Sequence, residues 1–414
     1  MVRALDESFA SKSAQRISAA LIRHLSIKMK LLISTLLLFF LAACAEEGAH
    51  GGEAPTSTPG TGKRDGESAA IPQGCDAPAT GRFDPNAVHQ LKSGFEGWYY
   101  RFEDQASGEG VVLIVAYWGE GERVEGFIEL IESDSGAVYK ATYAELERAR
   151  LEQSAGKELD VTIGGLRLRA DGVSGAFITD EGAEISIDLA ISGCRYWGEA
   201  SRPDQRRTMG WVTELPLVPL KWHTHHLRAV SDGVVEIDGR SKWFEGALTH
   251  QEKNWGSAFP ERWVWFQANE FEGGREAAFV AAGGPIFAFR GSPEGYMAGL
   301  QLEDRFIGWR THDLHRFGPV RFKVEEERVS WSLTVEGWRY RLELSAEAPR
   351  DELVPVDVPT PTGLQRGAVE HLRGQLTIKL YERAGVGWAQ IDELVSTRAA
   401  LEAGGRLAAP LLQD

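Results

Sequence analysis

Short segments in which apolar and polar residues alternate recur from about residue 88 towards the C-terminus, and they constrain the fold most. Because successive side chains of a strand point to opposite faces, Trp331, Leu333 and Val335 form one dry face. Gly, Asp and Ser separate the segments, as is typical of antiparallel all-β proteins. Roughly 300 such residues exceed what one barrel or sandwich needs, so we expect two β domains. Examples are VVLIVAYW (111–118), VEGFIELIES (124–133), AEISIDLAIS (183–192) and the run 320–345.

Residues 29–44, MKLLISTLLLFFLAAC, have the layout of a bacterial export signal. A lysine precedes an apolar run of about a dozen residues, which is too short to span a bilayer comfortably as a helix. Small residues precede Cys44, and LAAC resembles a lipoprotein box whose cysteine is lipidated. We expect a signal peptide over residues 1–43, with a mis-annotated extension before Met29, and a lipid anchor at Cys44 in the bacterial cell envelope, on the periplasmic face of the outer membrane. An uncleaved membrane anchor is the alternative.

Two further segments stand apart from the β pattern. Residues 45–74 are rich in Gly, Ala, Pro, Ser and Thr, and cannot bury enough surface to offset their ordering entropy. We expect a lipidated cysteine and a disordered, flexible tether over residues 44–87. Residues 391–405 have helical periodicity and end in glycines suited to a C-cap, which predicts a C-terminal helix.

Net charge and cysteine content narrow the classes of function. The charge of −15 argues against a nucleic-acid partner, because affinity for phosphate backbones depends on clustered Lys and Arg. Besides Cys44, the chain contains Cys75 and Cys194. An oxidising compartment would permit these two to pair, but isolated cysteines fit buried or free thiols equally well. We expect neither a metal cluster nor a disulfide scaffold.

FEGWYYRF (95–102) places a carboxyl group among aromatic rings. As a strand it puts Glu96, Trp98 and Tyr100 on one face and Tyr99 on the other. Desolvation there would raise the pKa of Glu96 and keep it protonated, which makes it a candidate acid. A Glu at the strand edge that reaches water or pairs with an Arg is an equally good interpretation.

HQEKNWGSAFPERWVWFQANEF (250–271) combines polar groups with large aromatic rings. Alternation puts Trp263, Trp265, Gln267 and Asn269 on one strand face. Two indoles followed by two amides are unusual for a plain core, where buried amides need partners. They suit a ligand cavity, which is mostly apolar with a few placed polar groups. We favour the cavity over an ordinary core.

KWHTHHLR (221–228) contains His223, His225 and His226. His223 and His225 would share a strand face, but the stretch offers no third ligand, so structural histidines are favoured over a metal site. The chain has no GxSxG elbow, phosphate-binding Gly-rich loop or HExxH motif, so esterase, nucleotide and zincin chemistry find no support.

Several stretches resemble, in order, the tocopherol cyclases of plants and cyanobacteria: FEGWYYR, WH (222–223), EKNWGSAFPERWVWFQANEF (252–271) and TPTGLQRGAVEHLRGQLTIKLYER (360–383). The resemblance covers about residues 88 to 395 and implies an all-β fold of two tandem lipocalin-like antiparallel β-barrels, related to carotenoid hydratases. We assign the first barrel to 88–235, the second to 236–395 and a tail to 396–414. A Tyr stands two residues before the EKNW glutamate in the plant enzymes, where this chain has His250.

The resemblance implies closure of a prenylated benzoquinol to a chromanol, by protonation of the prenyl double bond and addition of the phenol oxygen, without a cofactor. Such chemistry needs a poorly solvated acid and electron-rich ring faces. We expect Glu252 or Glu96 to be the acid, with His250 or His223 as proton relay. We expect a substrate site made of the following residues: Trp98, Tyr100, Asn254, Trp255, Trp263, Trp265, Gln267 and Asn269.

Three alternatives remain open. A lipoprotein that holds a prenyl quinone, carotenoid or similar hydrophobic ligand needs the aromatic face but not the acid. A hydratase-like enzyme would let water capture the cation. A Trp-rich carbohydrate-binding module or glycosidase would show an exposed aromatic platform and, if catalytic, two facing carboxylates.

Overall fold

The computed structural model describes part of the chain and shows almost only β structure there. The described residues are Cys75 and 87–89, 93–120, 123–146, 158–199, 202, 205–287, 289, 291–303, 305–360 and 363–413. They form strands and short 3₁₀ turns, so the predicted all-β class is confirmed. None of these turns is long and apolar enough to cross a membrane. The predicted signal peptide and Cys44 lie outside the described residues.

Ten antiparallel strands form the first sheet, in the order β4-β3-β2-β1-β10-β9-β8-β7-β6-β5. The edge strand β5 contacts β2 and β3, so the sheet curls. The strands are β1 Ser93–Glu103, β2 Gly110–Glu120, β3 Arg123–Glu132, β4 Val138–Tyr143, β5 Asp160–Ile163, β6 Leu166–Arg169, β7 Gly172–Ile178, β8 Glu184–Arg195, β9 Leu220–Ile237 and β10 Arg240–Gly256.

Eleven strands form the second sheet, with the path β14-β13-β12-β11-β21-β20-β18-β17-β15, while β16 pairs with β17 and β19 with β20. The strands are β11 Arg262–Ala268, β12 Ala278–Pro285, β13 Glu294–Gln301, β14 Phe306–Arg310, β15 Arg316–Phe317, β16 Arg321–Val324, β17 Arg328–Glu336, β18 Tyr340–Pro349, β19 Val354–Thr360, β20 Gly363–Ala384 and β21 Gly387–Gly405. The alternation predicted for residues 331–335 is confirmed, since β17 buries every second side chain.

The C-terminal segment is a strand, so the predicted helix over 391–405 is wrong. β21 pairs with β20 along most of its length and with β11 at its end. Two neighbouring strands supply its backbone hydrogen bonds, and this tertiary pairing overrides local helical periodicity. The predicted tail 396–414 therefore begins inside a strand. The chain passes from the first sheet to the second between β10 and β11, and not at the predicted boundary 235/236, because β10 pairs with β1 and β9 of the first sheet.

Cys75 and Cys194 form a disulfide with their Cα atoms 5.3 Å apart. Cys75 and Ala87 are both buried, and the Ala87 carbonyl accepts a 2.5 Å hydrogen bond from Lys253 Nζ. The predicted tether over 44–87 is therefore wrong at these two residues, which belong to the folded body. Of the two interpretations left open for these cysteines, the structure therefore shows the disulfide and not two thiols.

The apolar core has separate parts. One cluster lies within the first sheet and includes Tyr100 and Phe102, and a second lies within the second sheet and includes Phe266 and Trp331. A third cluster draws residues from both sheets, among them Trp222 of β9, Trp265 of β11 and Val356 of β19. The functional residues considered below lie around this third cluster.

Candidate functional site

A cavity of about 280 Å³ lies where the two sheets meet. Strands β1, β2, β3, β9 and β10 of the first sheet line it, as do β11, β12, β13, β19 and β21 of the second. Connecting residues between 209 and 218, at 259–260, at 286 and at 311–312 complete the wall. Most of the wall is apolar, which suits a hydrophobic small molecule. Its aromatic members are Phe95, Trp98, Tyr99, Phe127, Trp222, Phe259, Trp263, Trp265 and Tyr296, and its carboxyl members are Glu252, Asp357 and Glu402.

The stretch 250–271 crosses from one sheet to the other at this cavity. β10 brings Glu252 and Asn254 to the wall, the connection brings Phe259, and β11 brings Trp263 and Trp265. Since residues two apart in a strand share a face, each pair on β10 and β11 faces the same way. The predicted grouping of polar residues beside indoles is thus present for these five.

Glu252 is buried and held from two sides. Its Oε2 accepts a 2.9 Å hydrogen bond from Trp265 Nε1 and lies 3.1 Å from His250 Nε2. His250 Nδ1 donates to the Leu227 carbonyl oxygen at 3.2 Å, so Nε2 is the nitrogen that can share a proton with the carboxyl group. His250 itself does not line the cavity, but it contacts two wall residues, Glu252 and, with ring centroids 6.2 Å apart, Trp265.

Glu402 is a second carboxyl group in the wall, which sequence reasoning missed. It lies opposite Trp265 in the pairing of β21 with β11, and Trp263 Nε1 donates a hydrogen bond to its Oε1. Gly404 makes room for this indole, because a Cβ there would lie 1.9 Å from a Trp263 ring atom. Burial raises the pKa of Glu402 to about 7; the Trp263 hydrogen bond opposes this rise and the charge of Glu252 adds to it.

A third carboxyl group, Glu370, lies behind the wall and was also missed. It is fully buried on β20 opposite Glu402 on β21, and Tyr99 Oη donates a 2.6 Å hydrogen bond to its Oε1. Burial, followed by the charge of Glu402, raises the pKa of Glu370 to about 8. Tyr99 lines the cavity and packs edge-on against Trp265, with ring centroids 5.0 Å apart. The wall therefore has a protonated carboxyl group behind it.

Glu96 is an ionised partner of Lys253, so the prediction of a raised pKa is wrong. Burial alone would raise the pKa, but Lys253 at 2.9 Å and hydrogen bonds with His89 and Tyr117 lower it to about 2. The Tyr117 hydroxyl donates at 2.5 Å to Glu96 Oε2. Glu96 is fully buried and does not line the cavity. A group so acidic cannot act as the proton donor at neutral pH.

His223 is buried beside the cavity wall rather than in it. Its Nδ1 lies 3.2 Å from the Thr208 hydroxyl, and its ring lies edge-on to that of His225, with centroids 5.0 Å apart. Burial lowers the pKa of His225 well below its ordinary value, so that residue is neutral.

Four of the eight expected substrate-site residues lie in the wall, namely Trp98, Asn254, Trp263 and Trp265. The other four lie elsewhere. Tyr100 and Trp255 directly follow the lining residues Tyr99 and Asn254 and therefore point to the other face of their strands. Gln267 and Asn269 lie beyond Trp265, where the chain leaves the cavity at about 3.3 Å per residue. Tyr100 lies in the core of the first sheet and accepts a hydrogen bond from Gln251, and the Trp255 ring stacks on that of His89. Gln267 accepts a hydrogen bond from Arg101, and Asn269 donates one to the Thr249 carbonyl oxygen. Both amides border a separate cavity of about 10 Å³.

One cluster has the spacing of a metal site. Within the described residues, Cys75, Cys194 and His226 bring potential ligand atoms within 4.8 Å of one another. The two sulfur atoms are bonded to each other, and only thiolates ligate metals well. This cluster therefore has one usable ligand, His226, whose Nε2 already lies 3.0 Å from the Ala170 carbonyl oxygen.

Fold and cavity together define an all-β protein in which two curled sheets enclose an aromatic cavity with buried carboxyl groups in its wall. Residues 161–405 match the family model described as tocopherol cyclase-like. The chain belongs to the tocopherol cyclase-like family, and the predicted resemblance is confirmed.

Plant proteins of known name are among its relatives. A probable chloroplastic tocopherol cyclase of Oryza sativa subsp. japonica is 30% identical over 220 residues, which is 50% of this chain and 44% of that protein. The chloroplastic tocopherol cyclase of Zea mays is 29% identical over 221 residues, with the same two coverages of 50% and 44%. The match thus spans less than half the length of the plant proteins.

Solved structures of low sequence identity are also similar. Kievitone hydratase from Nectria haematococca has a TM-score of 0.47 and 14% identity, with 82% of this chain and 95% of that chain covered. A putative AttH from Nitrosomonas europaea has a TM-score of 0.37 and 11% identity, with 76% and 93% covered.

Proposed function

We propose that this protein closes a prenylated benzoquinol to a chromanol, as an intramolecular lyase of the tocopherol cyclase type. Family membership supports a cyclase-like activity. The single observation that carries the specific reaction is Glu402, a carboxyl group in the wall of an aromatic cavity whose pKa is raised to about 7. Such a group is protonated in part of the molecules at neutral pH and can donate that proton in a poorly solvated site.

Glu402 is the proton donor in this proposal. Its proton goes to the less substituted carbon of the prenyl double bond, which forms a C–H bond and leaves a tertiary cation. Trp263 Nε1 donates to Glu402 and stabilises the carboxylate that remains. The sequence-based assignment to Glu96 is replaced, because that group is already ionised at neutral pH.

Aromatic rings of the wall stabilise the cation. Trp98, Tyr99 and Trp265 line the cavity, and a cation over an indole or phenol face gains about 0.5 to 2 kcal/mol. The apolar wall also limits access of water, which would otherwise capture the cation and give a hydrated product. Cyclisation is thereby favoured over hydration.

Glu252 accepts the proton that leaves. The phenol oxygen forms a C–O bond to the tertiary carbon, its O–H bond breaks, and the proton passes to Glu252, which His250 assists at 3.1 Å. One proton enters and one leaves, no electrons are transferred, and the product is an isomer of the substrate. Proton transfer from Glu252 back to Glu402 restores the starting state. His250, which stands where the plant enzymes have a Tyr, is the partner of Glu252 in this chain.

Turnover of defined substrates tests the proposal. Purified protein is incubated with a phytyl or geranylgeranyl benzoquinol, chromanol is measured by mass spectrometry, and binding is measured by quenching of Trp fluorescence. We expect Glu402→Gln and Glu252→Gln to abolish chromanol formation and retain quenching, while the surface variant Glu382→Gln behaves as the parent. Quenching without chromanol in the parent protein would identify a carrier of prenyl lipids instead. If the parent protein shows neither quenching nor chromanol, the cavity is neither a cyclase site nor a carrier site for prenyl lipids.

We also propose that the protein is exported and lipid-anchored through Cys44 at the cell envelope. The lipobox-like LAAC supports this, and the Cys75–Cys194 disulfide supports an oxidising compartment. Metabolic labelling with a radioactive fatty acid should mark the parent chain and not Cys44→Ser. An unlabelled parent chain would contradict the anchor.

A further inference from the structure

Large apolar side chains are exposed beside the cavity, on three separate segments of the chain. Trp211 is 47% exposed, Leu217 78%, Phe289 54% and Leu314 78%. Single exposed apolar residues are ordinary, but a group of them around one cavity marks an interaction surface. We name these four residues the rim.

The segment between the 3₁₀ turn Gly210–Glu214 and β9 carries two of the rim residues. Val212 and Val218 of this segment point into the cavity wall, while their neighbours Trp211 and Leu217 are exposed. The same short segment therefore lines the cavity with one set of apolar side chains and presents another set to the outside. Cavity and rim are continuous here.

The other two segments meet the first one at the cavity. His312 lines the cavity and lies edge-on to the Trp211 ring, with centroids 5.8 Å apart. Leu314 follows two residues later with φ at 63°, a left-handed conformation that is costly for a branched side chain and is found at functional positions. Phe289 stacks on Phe287 with centroids 5.5 Å apart, next to the lining residue Ile286.

The charge beside the rim differs in sign from that of the whole chain. Residues 205–221 contain Arg206, Arg207 and Lys221 but one acidic residue, Glu214, whereas the chain carries −15. Arg207 pairs with Glu214 at 2.6 Å, and the Arg206 guanidinium lies over the Tyr196 ring at 5.0 Å. A basic segment with protruding Trp and Leu side chains is the composition of a protein surface that binds the headgroup region of an anionic bilayer.

We infer that the rim docks on a lipid bilayer, with its apolar side chains inserted at the headgroup boundary and the cavity mouth turned to the membrane. This inference rests on the proposed function, because a prenylated quinol is nearly insoluble in water and resides in the bilayer. A mouth in contact with the bilayer lets the prenyl chain move from lipid to the apolar wall without crossing water. The surface is distinct from the predicted anchor at Cys44.

Vesicle flotation tests the docking with a matched control. The full chain with Cys44→Ser, which cannot be lipidated, is mixed with vesicles of phosphatidylcholine and phosphatidylglycerol. Trp211→Ser combined with Leu217→Ser should float with about tenfold lower affinity, because two large apolar side chains are lost. Trp243→Ser is the control: Trp243 is 65% exposed but lies nine residues before Glu252 on β10, roughly 30 Å away along the strand.

A second readout separates this inference from the proposed function. We expect the double variant to lose turnover of vesicle-embedded quinol and to keep turnover of detergent-dispersed quinol. Flotation that weakens in the double variant, with no chromanol from any form, would overturn the cyclase and keep the docking. Flotation equal to the parent's would overturn the docking, as would a sedimentation result in which the parent is a dimer and the double variant a monomer.

Discussion

The indole Nε1 of Trp265 donates a 2.9 Å hydrogen bond to Oε2 of Glu252, and this bond joins the two sheets at the cavity wall. Glu252 lies on β10 of the first sheet and Trp265 on β11 of the second. Trp263, two residues away on the same strand face, donates in the same manner to Glu402. Two neighbouring indoles thus each hold one wall carboxyl group, Glu252 or Glu402.

Trp265→Phe tests whether this indole orients Glu252, the proposed proton acceptor. The phenyl ring keeps an aromatic wall but donates no hydrogen bond, and a bond to a charged group contributes about 1.5 to 3 kcal/mol. We expect turnover to fall about ten- to hundredfold, with substrate binding changed far less. Trp331→Phe is the matched control, because Trp331 is equally buried but its Nε1 has no hydrogen-bond partner among the described residues. Equal losses in both variants would contradict a specific role for Trp265.

The rate of cyclisation should depend on pH through Glu402. The donor must be protonated, and its pKa is raised to about 7, so turnover should fall as the pH rises through about 7. An ordinary carboxyl donor would lose activity near 4.5, the usual value for Glu. The measurement is turnover against pH between about 5 and 9, with circular dichroism at each pH to show that the fold is retained. A rate that rises across this range would contradict Glu402 as the donor.

Local pattern was enough to predict the strands and part of the wall. Alternation on Trp331, Leu333 and Val335 places them on the buried face of β17, and alternation on Trp263 and Trp265 places both in the cavity. These predictions succeeded because side-chain direction in a strand depends on sequence parity alone. Membership of the family followed from the long motif around residues 252–271.

The remaining features depend on contacts between distant parts of the chain. Glu402 was missed because helical periodicity in 391–405 hid a strand that pairs with β11 and β20. The pKa of Glu96 was predicted with the wrong sign, because Lys253 from β10, together with His89 and Tyr117, outweighs the effect of burial. The opposite sheet also determines which part of a strand borders the cavity. The local sequence of β11 therefore could not show that Gln267 bonds Arg101 instead of lining the cavity.

The disulfide between Cys75 and Cys194 should stabilise the first sheet region. It links residue 75 to β8 and closes a loop with a sequence separation of 119, which restricts the unfolded chain. We expect Cys75→Ser combined with Cys194→Ser to lower the free energy of unfolding by about 2 to 4 kcal/mol. The parent should show the same loss in dithiothreitol, and the double variant should not respond to it. A parent whose urea midpoint is unchanged by reduction would contradict a stabilising bond.

Two glutamates on strand β3 should give opposite dependences of stability on pH. Burial, followed by the charge of Asp357, raises the pKa of Glu129 from 4.5 to about 8, while the charge of Lys140 opposes this rise. Glu129 Oε1 has no hydrogen-bond partner among the described residues. The folded state therefore keeps a proton that the unfolded state loses above about 4.5, so Glu129 costs stability as the pH rises from there to about 8. Glu129→Gln should raise the free energy of unfolding by about 2 kcal/mol at high pH, and by little near pH 4.5.

Glu132, three residues later, is the matched control. Burial opposes its ionisation, but Arg240 at 2.7 Å, Lys242 at 2.9 Å and Tyr139 at 2.9 Å lower its pKa to about 2. Its stabilising effect is present above the unfolded value of 4.5 and is lost as the pH falls through about 2, so Glu132→Gln should destabilise the protein at neutral and high pH. Urea unfolding of both variants and the parent at pH values between about 4.5 and 9 measures the difference. A fall in stability for Glu129→Gln at high pH would show that this carboxyl group is ionised and paired in the folded protein.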